Sequence, residues 1–577
     1  MLSSRNMILR GMSKSLCQMY RNAATNRVTS HPTFSCPYLG SIPTQQDDVC
    51  KDFYMKIVNE NIESAYRKYG PSICKEDAGI SEVSPGKSVL IIGAGVSGLA
   101  AAFELEKVGY DTSIVELQHR VGGRTKTLRD GFSTDLHAEG GAMRIPQNHF
   151  LTNGYIQKFG IPVRPFVNYN EMGWLYLVGE NKIRLKDWKA NNQFYSTKFF
   201  PGWDANLLPE IRPSVKGILD LYDKTVQVVK DDLYKLIKEK GDQSGWAAWV
   251  EKWSKLSVNE FLRKENSGDE FSLYRPWPEA AIRGFQLSTY SPQFDISLVE
   301  HLRDEIGEWW SDMLHTPVDG MDTIANNFIK PQCGGVNKCI NLANKITFGT
   351  EVRSVLKSEE NKVIVSGRNV KTGKEKTFTA DSAIVTVPLT ILRQMDIDLG
   401  KKYKMAISNI NYGASTKIVL QCKSRFWEKQ VGQGGFSKTD LPIGQLHYPS
   451  PCNPRPPNGR GLLVCYTWGQ DALMFGAQSK DEAIASAVRE ITKIHPEMTD
   501  EFEVGMVQSW FSDDTTQGAY AALLPYQYND GMKTLMTPDH PIYLAGEAIS
   551  YTNAWIQGAL ESGLNAAYHL YCHDHHK

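Results

Sequence analysis

The stretch Lys87–Arg124, KSVLIIGAGVSGLAAAFELEKVGYDTSIVELQHRVGGR, leaves this chain few ways to fold. Its apolar run Val89–Ile92 lies between Gly86 and Gly93 and reads as a buried parallel strand. Gly93-Ala94-Gly95-Val96-Ser97-Gly98 follows, then apolar residues at helical spacing over Leu99–Val108, up to Gly109. A second strand over Thr112–Val115 closes on Glu116. Glycines placed where a strand turns into a helix, with an acid about 20 residues further on, make a dinucleotide-binding unit. Gly93 makes the tight turn and Gly98 lets helix and strand pack closely. Gly95 lets a pyrophosphate approach the backbone, where the helix N-terminus at Val96 and Ser97 favours negative charge. Glu116 is placed to accept hydrogen bonds from a ribose diol. The alternative is a glycine-rich turn in any α/β protein, and the spacing to the acid argues against it.

A chain of 577 residues is too long for one core, so two or three domains are expected. The 64 basic and 64 acidic residues cancel, which gives no bulk electrostatic reason for a nucleic-acid or membrane partner. No run is apolar and long enough to span a bilayer. The 10 cysteines include no C-x-x-C pair, so reduced, mostly buried thiols are expected. Residues 1–46 contain no acid and carry Arg5, Arg10, Lys14, Arg21 and Arg27 among many Ser and Thr. That composition suits a mitochondrial presequence and equally a disordered arm without an address. There is no apolar core for a secretory signal and no Asn-x-Ser/Thr site, so an intracellular location is expected. Asp47–Gly70 has the spacing of a helix, expected to pack on the body of the protein.

Straight after Glu116 comes Arg120-Val121-Gly122-Gly123-Arg124, two glycines between two arginines. It resembles the second nucleotide signature of FAD enzymes in the flavin amine oxidase family. Further matches run down the chain. Gly141-Ala142-Met143-Arg144-Ile145-Pro146 resembles a segment of the L-amino-acid oxidase branch in which the arginine holds the substrate carboxylate. A guanidinium suits that role because it is planar, permanently charged and bidentate. Taken alone, Arg144 fits equally a pairing with a structural acid or an FAD phosphate. Ser415-Thr-Lys417-Ile-Val-Leu, with Phe426-Trp427 after it, resembles the segment whose lysine lies near flavin N5, usually through a water. Pattern alone also allows an exposed strand lysine at Lys417. Tyr466, in the strand Gly461–Gln470, matches the family's second carboxylate contact. Trp468 lies on the same strand face and would line the side-chain pocket; the alternative is two aromatics facing a core.

In the last block, Ile542–Glu547 and Asn553–Ala567, the resemblance puts Gly546, Glu547 and Ile556 on the FAD. It puts Trp555 over the reactive face of the flavin beside the substrate. Ala554 stands where the family often has glycine, a change expected to narrow the pocket. Val352 is expected to meet the adenine through its backbone. Gly141, Ala142, Met143 and Arg144 also fall on the cofactor's path. Covalently flavinylated relatives carry a cysteine where this chain has Gly518-Ala519-Tyr520, so non-covalent FAD is expected. A C-terminal anchor like that of membrane-bound amine oxidases is not expected. The terminal His573-Asp574-His575-His576 is read as a solvated, frayed tract, with no metal site.

The resemblance implies an α/β architecture. A discontinuous Rossmann-type FAD-binding domain takes residues 86–140, 318–405 and 536–572. A mixed-sheet substrate-binding domain takes 141–210, read as strands and loops from residue 150 on, and 406–535. A helical domain covers 211–317, with helices over Val215–Leu236 and Glu300–Leu314 and a capping box at Ser257–Glu260. Before them lie the arm 1–46 and the helix-bearing segment 47–85. The implied reaction is oxidative deamination of L-amino acids by hydride transfer to flavin, with molecular oxygen as second substrate and hydrogen peroxide as product. The pocket aromatics point to large neutral or aromatic side chains, and no acid is assigned to a lysine pocket. The other readings are a monoamine or polyamine oxidase, an amino-acid 2-monooxygenase, and a flavin-fold binding protein without catalysis. A homodimer is expected from the family alone.

Overall fold

A computed structural model describes residues 86–575, apart from 178, 180, 266, 269, 270, 272, 290–292, 308, 310–313, 334–338, 452–458 and 529. The basic arm and the helix expected over Asp47–Gly70 therefore lie outside the described residues. The organising unit is a five-stranded parallel sheet. Its spatial order is Ile346–Thr347, Asp111–Val115, Ser88–Ile92, Ser382–Val385 and Ile542–Leu544. Numbered along the chain this is 3-2-1-4-5, so the order reverses between the first and fourth strands. Ligands of open α/β sheets bind at such a reversal, outside the carboxyl ends of the strands. The strand Ser88–Ile92 is apolar because both of its faces are covered, by Val96–Lys107 on one side and by the core around Leu90 and Ile92 on the other.

A four-stranded sheet, Glu375–Ala380, Val363–Asn369, Thr350–Lys357 and Asp396–Ile397, flanks this unit. The second large sheet has seven strands. Its order is Phe502–Ser509, Ser415–Cys422, Gly461–Trp468, Gln445–His447, Phe436–Thr439, Trp174–Leu177 and Asn181–Arg184. One pairing, Phe436–Thr439 with Trp174–Leu177, is parallel and the rest are antiparallel, so the sheet is mixed. Helices fill the region 211–317, led by Ile218–Lys240, Asp242–Trp253, Glu279–Ser288 and Leu298–Ile306. The capping box forms: Ser257 and Glu260 satisfy each other's backbone N–H groups at the start of Val258–Arg263.

Several expectations need correction. The segment 150–210 holds helices Phe150–Lys158, Leu185–Ala190 and Asn192–Phe199 beside its strands. Their mixed polar and aromatic composition gave weak periodicity. The helix expected over Glu300–Leu314 ends at Ile306, where Gly307 caps it, and Leu314 opens the strand Leu314–Pro317. The C-terminal helix runs to His575. Its end is tied down: Asp574 pairs with Lys87 and accepts from Tyr110 at 2.9 Å, and His573 stacks on His540. Cys422, Cys465 and Cys572 are buried and in no disulfide, but Cys339 is disulfide-bonded, not a thiol. It sits in a two-stranded ribbon whose register sets Cys333 opposite it.

Candidate active site

One continuous cavity of about 630 Å³ runs from the strand-order reversal to the face of the mixed sheet. At its first end, Gly93 has φ +106°, a conformation that L side chains rarely adopt, and a Cβ there would lie 2.8 Å from Thr386 Oγ1. Gly98 is excluded from bearing a side chain more strictly, since its Cβ would meet the Gly93 carbonyl at 2.2 Å. Gly95 is different: nothing lies within 4 Å of where its Cβ would be, and that space is the cavity. Gly95 also begins the helix Val96–Lys107 without a side-chain cap, so the first N–H groups are left for a ligand. Ser97 Oγ, at this N-terminus, is buried and has no partner within the protein. Gly122 bridges to Gly95, which brings the second glycine pair alongside the first.

The Glu116 carboxylate accepts from the N–H groups of Ala94 at 2.7 Å and Gln118 at 2.8 Å. Burial nevertheless raises its pKa. Arg124 lines the cavity and donates to Glu547 at 2.7 Å and to the Ala519 carbonyl at 3.0 Å. Glu547 is further engaged by the Ala521 and Ala554 N–H groups, so its carboxylate braces the wall it helps to form. Gly93, Gly95, Val96, Ser97, Glu116, Gly123, Val352, Gly546 and Ile556 all line the cavity. Arg120 does not, and its guanidinium folds back onto the Val121 and Gly123 carbonyls, the latter at 2.7 Å.

At the other end, Gly141, Ala142, Met143 and Arg144 form one wall, and Tyr466, Trp468, Ala554 and Trp555 form the facing ones. Arg144 is 7% exposed and donates to Asn168 Oδ1 at 3.2 Å. Burial pulls its pKa down to about 10, while Tyr466 and Asp304 support the charge. The register of the mixed sheet explains the rest. Lys417 pairs directly with Tyr466, and Ser415 with Trp468, so all four side chains share one sheet face. The Tyr466 and Trp468 rings lie 4.0 Å apart, and Lys417 Nζ sits 4.5 Å from the Tyr466 ring centroid. Lys417 is 2% exposed and lies behind the wall, not in it. Its ammonium donates to the Glu139 and Gly141 carbonyls at 2.9 and 2.6 Å. It therefore holds the segment that carries Arg144. Ala554 has φ +69°, the left-handed region, with its N–H held by Glu547 at 2.8 Å. Trp555 is fixed edge-on by His149 and Trp309.

The family pattern described as flavin containing amine oxidoreductase matches residues 96–570. The chain belongs to the flavin-containing amine oxidoreductases. It is 31% identical to the putative L-amino-acid oxidase YobN of Bacillus subtilis, over 85% of this chain and 96% of that one. It is 28% identical to the L-amino acid oxidase of Cerastes cerastes, over 90% and 93% of the two chains. A putrescine oxidase variant has the same fold, with a TM-score of 0.63 at 17% identity over 85% of this chain and 99% of that one.

As a flavin-containing amine oxidoreductase the chain is an enzyme with a flavin cofactor, and the cavity fits one. The open space at Gly95, the uncapped helix start and the partnerless Ser97 hydroxyl could hold an anionic group. The aromatic end has the lining to take a planar ring system. Three further features of this flavin amine oxidoreductase were not legible in the sequence. Asp304 and Tyr520 line the substrate end. A clamp fixes the Trp555 loop from the helical domain: Arg303 pairs with Glu300 at 2.9 Å and donates to the Tyr551 carbonyl at 2.7 Å and to Asn553. Asn553 in turn donates to Glu300 at 2.5 Å and to the Ala521 carbonyl at 2.8 Å.

Proposed function

We propose that this enzyme oxidatively deaminates L-amino acids with large side chains, using FAD bound non-covalently, to 2-oxo acids, ammonia and hydrogen peroxide. The observation that carries the reading is the Arg144 guanidinium, buried in the wall of a cavity continuous with the dinucleotide turn. An amine without a carboxylate gives that charge nothing to bind. Non-covalent attachment is supported by the cavity lining, which includes no cysteine among the described residues.

When bound, the flavin supplies the two-electron acceptor, taking the α-hydrogen as hydride and passing the electrons to oxygen. The protein's share is position and field. Arg144 grips the substrate carboxylate. Tyr466 is hydrogen-bonded to Ser415 and Trp468, and burial raises its pKa, so its hydroxyl stays protonated and able to donate. Lys417 keeps the Gly141–Arg144 segment in place. Tyr520 and Trp555 face the substrate and exclude water. No side-chain base is required: the substrate amine must be neutral, its solution pKa lies above neutrality, and activity is expected to rise with pH. Water then converts the imino acid to the 2-oxo acid and ammonia.

The deciding experiment is anaerobic mixing of the flavin-loaded protein with L-phenylalanine, D-phenylalanine and phenethylamine, watching flavin absorbance. Bleaching by the L-amino acid alone is expected. Bleaching by phenethylamine and not by L-phenylalanine would move the enzyme to amines without a carboxylate. Release of carbon dioxide in step with turnover would move it to the oxygenases.

A further inference from the structure

The helix Leu298–Ile306 brings a carboxylate to the substrate end of the cavity. Asp304 lines it together with Arg144, Tyr466, Tyr520 and Trp555. Its side chain is 21% exposed, and Oδ1 lies 3.4 Å from Arg303 Nε. Arg303 is also bound by Glu300 at 2.9 Å, so one guanidinium faces two carboxylates. The Asp304 charge reaches across the cavity: it supports the ionised form of Arg144 and opposes ionisation of Tyr520. The cavity thus carries a cation on one wall, an acid on another, and aromatic faces between them.

That arrangement has a chemical complement. Arg144 takes the α-carboxylate. A long aliphatic stem packs along the aromatic faces, as such stems do on apolar surfaces. A cation at its end meets both the aromatic quadrupoles and a carboxylate. We propose that Asp304 makes this cavity select L-amino acids whose side chain ends in an ammonium or a guanidinium. The inference rests on the deamination reading above and narrows it, since ring-lined walls alone accept neutral and charged side chains of similar length.

The test uses L-lysine and L-norleucine, which share a stem and differ by the terminal ammonium. With the flavin-loaded enzyme, kcat/KM is expected to favour lysine by roughly ten- to a hundredfold, the worth of one hydrogen bond between charged partners. In Asp304→Asn, which keeps the shape and removes the charge, that ratio falls toward one. A ratio unmoved by the substitution overturns the proposal and leaves deamination standing. So does a wild-type enzyme that oxidises the two equally well, a result that needs no variant to fold. An Asp304→Asn enzyme that loses both substrates to the same degree shows Asp304 acting on the α-amino end or on Arg144, and also overturns it. If neither amino acid bleaches the flavin while L-phenylalanine does, this inference alone fails; if L-phenylalanine does not bleach it either, the deamination reading fails as well.

Discussion

Replacing Arg144 with methionine should move activity and stability in opposite directions. Burial holds the guanidinium at about 10, roughly two units below its ordinary value. That gap corresponds to about 3 kcal/mol by which the fold disfavours this charge. At pH 7–8 the arginine is protonated in both folded and unfolded chains, so the penalty applies in full. It fades only as pH rises from about 10 toward the ordinary arginine value. A carboxylate docked on the guanidinium offsets it. Arg144→Met should therefore lower kcat/KM for an L-amino acid by about 2–5 kcal/mol, a hundredfold or more at the middle of the range. The same substitution replaces a buried charge with an apolar side chain of similar length. The unfolding free energy should rise by part of the same 3 kcal/mol, roughly 1–2. The assay pairs kcat/KM on L-phenylalanine with urea denaturation at pH 7.5, on protein whose flavin content has been checked. A folded, flavin-loaded variant with unchanged kcat/KM refutes the carboxylate assignment. Lost activity with equally lost stability would mean that Arg144 holds the wall together.

Burial also pulls Lys417 down to about 7 from 10.5. Between those values the unfolded chain binds a proton that the folded chain does not, so this lysine makes stability rise with pH. The stability difference between wild type and Lys417→Met should grow across that window by up to about 1.4 kcal/mol per pH unit, and a difference constant between pH 7.5 and 9.5 removes the argument. Gly95→Ala and Gly98→Ala should part company. The first meets no protein atom and yields a folded, colourless protein whose diphosphate site is blocked. The second collides with the Gly93 carbonyl and also loses roughly 1–3 kcal/mol of stability, read from thermal melts and flavin absorbance. At Ala554, φ +69° suits glycine, so Ala554→Gly should stabilise by about 1 kcal/mol and Ala554→Val should destabilise. Two substitutions with the same sign would count against strain at this residue.

How much was legible depended on whether a feature is encoded locally. The Gly93–Gly98 turn is: Gly93 and Gly98 exclude a side chain for reasons found within a few residues and one neighbouring strand. The mixed sheet was legible in part, because the two-residue period sets Tyr466 and Trp468 on one face. That Lys417 would share this face and lie behind the wall depends on strand register, which one strand's sequence does not specify. Asp304 was invisible. It sits on a helix with ordinary amphipathic spacing, and only the packing of that helix against the Asn553 loop turns the residue toward the cavity. The close approach of the last helix to Val96–Lys107, where a Cβ on Gly563 would meet the Ser97 carbonyl at 2.3 Å, likewise depends on how two distant segments pack.

The substrate end is held in an electrostatic state that the protein alone disfavours. Arg144 and Lys417 are both buried, and the arginine's charge lowers the lysine's pKa further. Lys438, buried on the same sheet, is held at about 7, and burial keeps His447 neutral, helped by Arg144 and by the two lysines when they are protonated. Hydrophobic residues of similar volume would make a more stable wall. Such a concentration of charge is useful if an anion completes it, and the structure shows why it need not reorganise when the anion arrives. Lys417 is fixed by two carbonyls, Arg144 by the segment those carbonyls belong to, and Tyr466 by its pairing across from Lys417. The cost of orienting the donors is met on folding and not at binding, the condition under which buried donors act most strongly on a reacting centre. The wall opposite, with Asp304, inverts the sign. A zwitterion bearing a second cation is the ligand for which both walls are complementary at once. The lysine-to-norleucine ratio isolates the Asp304 wall, because both substrates present the same carboxylate to Arg144.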